Sequence, residues 1–427
     1  MGESMKIGIM ALGKLGLPVA VAMDLRGHDV MGYDLDPARM SKAPQPYREA
    51  GPDGTGDFND WLAKSDVRFG SLDEVVAHGD IVFIAVQTPH DRRYEGITRL
   101  PATRKDFDYS YLVAAIKAVA QALDAPFAHE KVIAVISTVL PGTCRRELLP
   151  LLPPGASLVY NPSFIAMGTT MRDFLEPEFV LIGGEGQAAL TVGAFYGEAG
   201  IRAPVPGLMS IESAELTKVA YNTYISQKIA FANTVMEICH AIPGADCDQV
   251  IDALSLAHRR LISPAYLRGG MGDGGGCHPR DGIAMSWLAQ KLDLSHDLFD
   301  DAMQCREHQA EWLAYMLVNR SEQGRTAAQV LPIAIMGYAF KKGTNLTVGS
   351  PALLVAEIIK ANGRHFRLID PHVDGCLEQI TEPVVALIGC NHDEWPGYEF
   401  PAGSVVIDPW RYIPDREGVT VIRVGEA

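Results

Sequence analysis

Lys6-Ile7-Gly8-Ile9-Met10-Ala11-Leu12-Gly13-Lys14-Leu15-Gly16-Leu17-Pro18-Val19 decides the fold of this 427-residue chain. Lys6–Met10 is a short apolar run that stops at a glycine-rich turn, the pattern of a strand buried on both faces. A helical pattern follows to Arg26, Gly27 ends it, and a second strand, Asp29–Tyr33, closes on Asp34. Strand, glycine turn, helix, strand, acid is the order that a dinucleotide-binding βαβ unit requires. The glycines let a pyrophosphate approach bare backbone at a helix N-terminus, where N–H groups lack partners. Asp34 is placed to accept from the ribose hydroxyls of an adenosine. Its charge repels a 2′-phosphate, so NAD is expected over NADP. Ala11 stands where the first glycine of the fingerprint belongs.

Asp80–Val86 reads as a further strand, ending in Gln87-Thr88-Pro89, and Lys131–Ile136 as another, ending in Ser137-Thr138 with Pro141-Gly142-Thr143 close behind. Hydroxyls at the carboxyl ends of parallel strands sit where an open α/β sheet binds ligand. The cofactor contacts expected from this half are Ala11, Gly13, Lys14, Leu15, Gly16, Asp34, Arg39, Thr88, Ser137 and Thr138. Residues 90–108 form a polar excursion carrying Arg92, Arg93, Arg99, Arg104 and Lys105, read as a solvated loop, with a lid over a phosphorylated ligand as the alternative. A helix is expected over Tyr109–Leu123. Leu158–Tyr160 reads as a strand running into Asn161-Pro162-Ser163-Phe164, and Phe179–Ile182 leads into Gly183-Gly184.

From Ser210 the pattern turns helical. Ser210 is the expected N-cap, Glu212 and Glu215 fall in the first turns, and the helix should run to about His240. Lys218 and Asn222, four apart, share one of its faces. Residues 245–320 read as further helices, interrupted by Gly274-Gly275-Gly276-Cys277-His278-Pro279-Arg280-Asp281. There three glycines strip one wall of a turn beside a thiol, with a carboxylate four residues on, residue types suited to a nucleophile and an acid/base partner. The last third repeats the first. Pro332–Met336 mirrors Lys6–Met10, Arg364–Pro371 mirrors Asp29–Pro37, Val384–Ile388 mirrors Ile81–Val86, and Val405–Asp408 mirrors Val132–Ile136. The second half has Gly337-Tyr-Ala-Phe340-Lys341 in place of the glycine fingerprint, so it should bind something other than NAD.

The expected fold is thus α/β, with two Rossmann-like domains of parallel sheet flanking a central helical domain: 1–205, 206–322 and 323–427. A chain of this length exceeds one core. Hydrophobic content of 48% and charged content of 21% are ordinary for a soluble globular protein. A net charge of −15 argues against nucleic acid and anionic membrane as partners. No apolar run reaches membrane-spanning length. Seven scattered cysteines without CxxC pairs point to a reducing cytoplasm rather than a disulfide scaffold, and no metal-ligand set is expected. The long helix, flanked by helical neighbours, is the expected interface of a homodimer.

The chain resembles the UDP-glucose/GDP-mannose dehydrogenase family over essentially its full length. The residues that carry the likeness are Leu12-Gly13-Lys-Leu-Gly16-Leu-Pro18, Val86-Gln-Thr88-Pro89, Ser137-Thr138-Val-Leu-Pro141-Gly142-Thr143 and Asn161-Pro162. Glu215-Leu-Thr-Lys218 with Asn222, Gly275-Gly276-Cys277 with Pro279 and Asp281, and Ala339-Phe340-Lys341-Lys342 complete the set. The resemblance implies NAD-dependent oxidation of the C6 alcohol of a nucleotide sugar, UDP-glucose-like, to the carboxylate. On that basis Cys277 adds to the intermediate aldehyde, giving a thiohemiacetal and then a thioester. Lys218 with Asn222 stabilises the oxyanion, and Asp281 with Thr138 handles the hydrolytic water. Arg280 stands near the cofactor where the family usually has Lys. Phe340 and Lys341 hold the nucleotide, with Phe164, Tyr266, Gly270 and Gly276 about the substrate.

The departures from the family pattern matter too. Ser163 and Met167 occupy positions where the family carries glutamates. The run Leu346-Thr347-Val348-Gly349-Ser350 lacks the family's Arg, and Leu261, with Arg260 beside it, replaces an Arg ahead of the Cys. Either the substrate differs from UDP-glucose or the deacylation step is changed. A single two-electron oxidation and a non-catalytic nucleotide-sugar-binding protein are the alternatives.

Overall fold

The computed structural model describes all residues except 1–3, 90–105, 124–130, 167, 264–268, 272–284, 287, 325, 327–328 and 427. Within the first 226 residues the named elements are β1 (Lys6–Met10), α1 (Gly16–Leu25), β2 (Asp29–Tyr33), α2 (Phe58–Lys64), β3 (Arg68–Phe69), α3 (Leu72–His78) and β4 (Ile81–Ile84). They continue with α4 (Ser110–Ala122), β5 (Val132–Val135), β6 (Ser157–Tyr160), α5 (Thr170–Leu175) and α6 (Gly186–Glu198), and α7 (Ile211–Ala241) begins here. Later come α8 (Cys247–Ser255), α9 (Leu298–Glu322), β7 (Ile333–Met336), α10 (Pro351–Ala361) and β8 (Phe366–Ile369). The chain ends with α11 (Pro371–Asp374), β9 (Val385–Ile388), β10 (Val405–Asp408) and β11 (Thr420–Arg423).

Both sheets are parallel throughout. The first has the order β3-β2-β1-β4-β5-β6, the second β11-β10-β9-β7-β8. In each, the chain starts at a central strand, builds outward to one side (β2 and β3 in the first sheet, β8 alone in the second), and returns to build on the other. The two switch points, β1/β4 and β7/β9, are where open α/β sheets bind ligands. The expected two-sheet α/β architecture with helices between is the one observed.

The strands form because their residues can be buried on both faces. In β4, Ile81 and Phe83 enter one core while Val82 and Ile84 enter the core on the opposite face. In β7, Ile333 and Ile335 divide from Ala334 and Met336 in the same way. Each fully buried side chain of this kind contributes about 1.5–3 kcal/mol. α1 is apolar nearly all round, and its residues Gly16–Met23 are buried. Pro18 is tolerated because it falls in the first turn, where a missing N–H breaks no helical bond.

Compactness divides the chain at Ser226/Gln227, inside α7. Ser210 caps that helix, its Oγ accepting from Ser213 N at 3.1 Å. Two strands were not anticipated: the two-residue β3, and β11 at an edge of the second sheet. Phe179–Ile182 joins no ladder. Next to it Gly183 makes only isolated bridges to Tyr160 and Met209.

Candidate functional site

The turn after β1 is built around one carboxylate. Ala11 N donates to Tyr33 O at 2.9 Å, continuing the β1–β2 ladder by one residue. The chain then reverses with Ala11 at φ +74°, a left-handed conformation that costs a side-chain-bearing residue about 1–2 kcal/mol. This is the position where the fingerprint has glycine, and the backbone keeps the glycine conformation without the glycine. Leu12 N donates to Asp34 Oδ2 at 2.7 Å, and Asp36 N to Asp34 Oδ1 at 2.9 Å. Gly16 is required sterically, because a Cβ there would lie 1.9 Å from Ala11 O.

Asp36 caps the short turn Pro37–Arg39. Arg39 Nη1 comes within 3.8 Å of Asp34, and 3.3 Å from where a Cβ on Gly13 would be. Lys14 is exposed and Leu15 half-buried. No side chain caps the N-terminus of α1. An uncapped, glycine-lined helix N-terminus with a carboxylate at the end of the neighbouring strand suits a dinucleotide: backbone donors for pyrophosphate, acceptor lone pairs for ribose.

At the next strand ends the hydroxyls are partly committed. Thr88 Oγ1 donates to Thr138 O at 2.7 Å, and Ser137 Oγ to Val86 O at 2.5 Å. These bonds tie the ends of β4 and β5 together and leave oxygen lone pairs as acceptors. The Pro141-Gly142-Thr143 turn is clamped by Glu215, an acid of the first turns of α7 that also belongs to the family-like run Glu215–Lys218. Glu215, fully buried on α7, accepts from Gly142 N and, at 2.8 Å, from Cys144 N. Burial and Glu215 together push the Cys144 thiol far above its ordinary range, so it is a packing cysteine.

Lys218 follows Glu215 by one turn and is 7% exposed. Its Nζ donates to Ser163 O at 2.7 Å and sits 4.6 Å from the centre of the Phe164 ring. Phe164 packs at 4.5 Å on both Phe179 and Tyr221, so the ammonium lies against an aromatic collar. Burial lowers the Lys218 pKa to about 8. Asn222 lies exposed one turn further along.

In the second unit Phe340 is half-buried and Lys341 exposed, in a turn closed by Phe340 N donating to Leu346 O at 2.8 Å. Gly270 has a packing reason to be glycine: a Cβ would lie 2.5 Å from the Trp410 ring. Tyr266, Gly276, Cys277, Arg280 and Asp281, with Met167 and the 90–105 stretch, lie outside the described residues. Among the described residues, His372, His392 and Glu394 bring possible ligand atoms within 4.8 Å of one another, a grouping the sequence did not suggest. No helix among them is long and apolar enough to cross a membrane.

The fold and the Ala11–Asp34 geometry define a dinucleotide-binding α/β protein. Residues 5–196 match the UDP-glucose/GDP-mannose dehydrogenase family, NAD binding domain, and residues 212–308 the central domain of the same family. The chain belongs to the UDP-glucose/GDP-mannose dehydrogenase family. GDP-mannose 6-dehydrogenase of Azotobacter vinelandii is 26% identical over 96% of this chain and 98% of its own length. UDP-glucose 6-dehydrogenase AglM of Haloferax volcanii is 26% identical over 97% and 99%. Among solved structures, GDP-mannose dehydrogenase from Pseudomonas aeruginosa, in a ternary complex, superposes with a TM-score of 0.83. That likeness covers 98% of this chain and 99% of the other at 22% identity, and shows the fold.

Proposed function

We propose that the protein oxidises the C6 alcohol of a nucleotide sugar, of the UDP-glucose or GDP-mannose class, to the carboxylate with NAD. The observation that carries this reading is the Ala11–Gly16 turn closed onto Asp34, in a chain whose relatives over nearly their whole length are nucleotide-sugar 6-dehydrogenases. NAD, when bound, would take a hydride from the substrate carbon in each of two rounds. Ala11, Gly13, Lys14, Leu15 and Gly16 would face its pyrophosphate, and Asp34 and Arg39 its adenosine ribose. Thr88, Ser137, Thr138 and Arg280 would complete the cofactor contacts.

An aldehyde carbon has no hydride to give until a nucleophile adds to it. Cys277 would supply that nucleophile, its thiol proton passing to a base and the carbonyl oxygen becoming an oxyanion. Lys218, with Asn222, would hold that oxyanion, a positioned donor of this kind being worth about 3 kcal/mol. Asp281 and Thr138 would position the water that cleaves the resulting thioester, freeing the thiol. Phe340 and Lys341 would hold the nucleotide, and Phe164, Tyr266, Gly270 and Gly276 the rest of the substrate.

In this reading residues 1–205 bind the cofactor, 206–322 carry the cysteine loop and the interface of a homodimer, and 323–427 bind the nucleotide. Exposed Leu216, Tyr224, Ile225, Phe231 and Met236 along α7 support the dimer. The cysteines among the described residues are all free, in keeping with a reducing cytoplasm. A panel of UDP-, GDP- and dTDP-sugars assayed for NADH formation tests the proposal. Substrate-dependent NADH from a UDP- or GDP-hexose is the expected outcome, and a flat response to the whole panel would refute it.

A further inference from the structure

One fully buried histidine in the second unit has both ring nitrogens committed, and what they hold is the turn that carries Lys341. His392 follows β9. Its Nδ1 lies 3.1 Å from the backbone N of Gly343, and its Nε2 3.1 Å from Asp370 Oδ2. A backbone N–H can only donate, so Nδ1 is the acceptor and the ring proton sits on Nε2, directed at Asp370. Asp370 is itself fixed, accepting from Tyr338 N and Ala339 N on one oxygen and from His372 N on the other.

A second tie lies alongside. Lys342 Nζ reaches Asp393 Oδ1 at 2.5 Å, so residues 342–343 are fastened to residues 392–393 at two adjacent points. Lys342 is 48% exposed and Asp393 84%, so that ion pair is weak, and the buried imidazole is the firmer hold. His372 and Glu394 bring possible metal-ligand atoms near the same ring, but His392 could not take a cation without giving up one of its two bonds.

We propose that His392 is a positioning residue for nucleotide recognition: as a neutral imidazole braced by Asp370, it holds the Gly343 N–H and so presents Phe340 and Lys341 to the nucleotide of the substrate. This rests on the reading that the Phe340–Lys341 turn binds that nucleotide. The sequence hides the relation, because the histidine lies 49 residues from the amide it holds and 22 from the carboxylate that braces it.

Two substitutions in the full-length protein separate the two bonds. In His392→Asn the amide oxygen can take the place of Nδ1 and keep the bond from Gly343. In His392→Gln the amide nitrogen can keep the bond to Asp370 while the acceptor is lost. With GDP and UDP as probes in calorimetry, and a nucleotide sugar and NAD in steady-state assays, His392→Gln should weaken nucleotide affinity and raise the nucleotide-sugar KM about tenfold, the loss expected for one hydrogen bond. The NAD KM should stay at its wild-type value, and His392→Asn should rescue most of the loss. Equal losses for NAD and nucleotide, or an Asn variant as impaired as the Gln variant, would overturn the proposal. Amide exchange in the wild type gives a check that needs no variant: the Gly343 N–H should exchange slowly, and exchange at an unprotected rate would overturn it. A wild type that binds neither GDP nor UDP removes the nucleotide reading and this inference together. Wild-type binding that His392→Gln leaves intact removes this inference alone.

Discussion

Asp34 and Asp370 stand at the same place in two sheets of the same winding, and the chain treats them differently. Ala11 and Gly337 each follow the first strand of their sheet at positive φ, +74° and +84°. Each donates to the end of the second strand, at Tyr33 O and Ile369 O. The next amide, of Leu12 or Tyr338, reaches the carboxylate at 2.7 Å in both. Asp34 then receives one further amide and has the half-exposed Arg39 beside it, keeping acceptor capacity at the mouth of the turn. Asp370 receives three further amides and His392 and is completely enclosed. One topology thus yields a carboxylate that takes two amides and stays 8% exposed, and another that takes four amides and an imidazole and is fully enclosed. What distinguishes them is the number of donors that the following loops deliver.

The largest effect expected from this contrast is at Gly16. In Gly16→Ala the added Cβ meets Ala11 O at 1.9 Å, so the turn must open. NAD affinity should fall on the order of a hundredfold by calorimetry while GDP or UDP binding persists. Gly337→Ala, crowded by Cys390 atoms at 2.8–3.0 Å, should do the reverse. Loss of the same ligand by both variants would break the division of labour between the halves.

The buried charges contrast as well. Lys218 has lost solvent without gaining a carboxylate among the described residues, and its pKa falls to about 8. If its ammonium holds the oxyanion, kcat should decline as pH rises through about 8, and Lys218→Ala should lower kcat about a hundredfold at neutral pH. A rate that is flat between neutral and strongly alkaline pH would remove Lys218 from that role.

For Asp370, burial alone would raise the pKa, but the His392 bond and the Ala339 and His372 amides outweigh it and hold the carboxyl at about 2. A folded pKa below the ordinary 3.8 stabilises the fold above about pH 4 and ceases to do so as pH falls towards 2. That stabilisation is about 2 kcal/mol. Asp370→Asn should cost at least that much in denaturant unfolding at neutral pH, with the gap to wild type narrowing below pH 4. A pH-independent gap would mean that the carboxylate's charge is not what the scaffold uses.

The smallest effect is at Ala11. Replacing it by glycine, as the second half already has at Gly337, relieves the left-handed strain and should stabilise by about 0.5–1 kcal/mol, read as a rise in Tm. A lower Tm would show that Ala11 contributes packing worth more than the strain it carries.

Much of this was legible in the sequence because the central strands are unbroken apolar runs and Gly16 of the first turn is sterically required. The mirrored Ile-Met endings of β1 and β7 correctly foretold equivalent strands. β3 and β11 escaped because Arg68-Phe69 and Thr420-Val421-Ile422-Arg423 are short edge pieces held by pairing rather than by a two-sided apolar pattern. Glu215 was visible as an acid in a helical first turn, but its hold on Gly142 and Cys144 crosses more than seventy residues and depends on how α7 packs. The burial of Lys218 was suggested by its apolar neighbours, while its partner, a backbone carbonyl at Ser163, leaves no mark in residue type.

The central claim is that this fold carries out a four-electron oxidation through Cys277, and counting NADH against a limiting amount of the accepted nucleotide sugar tests it most directly. The account predicts two NADH per sugar and a carboxylate product for the wild type, and loss of that turnover in Cys277→Ser with NAD binding retained, because a serine hydroxyl stays protonated where a thiol ionises. One NADH per sugar, with an aldehyde or ketone as product, or full four-electron turnover by the serine variant, would contradict it.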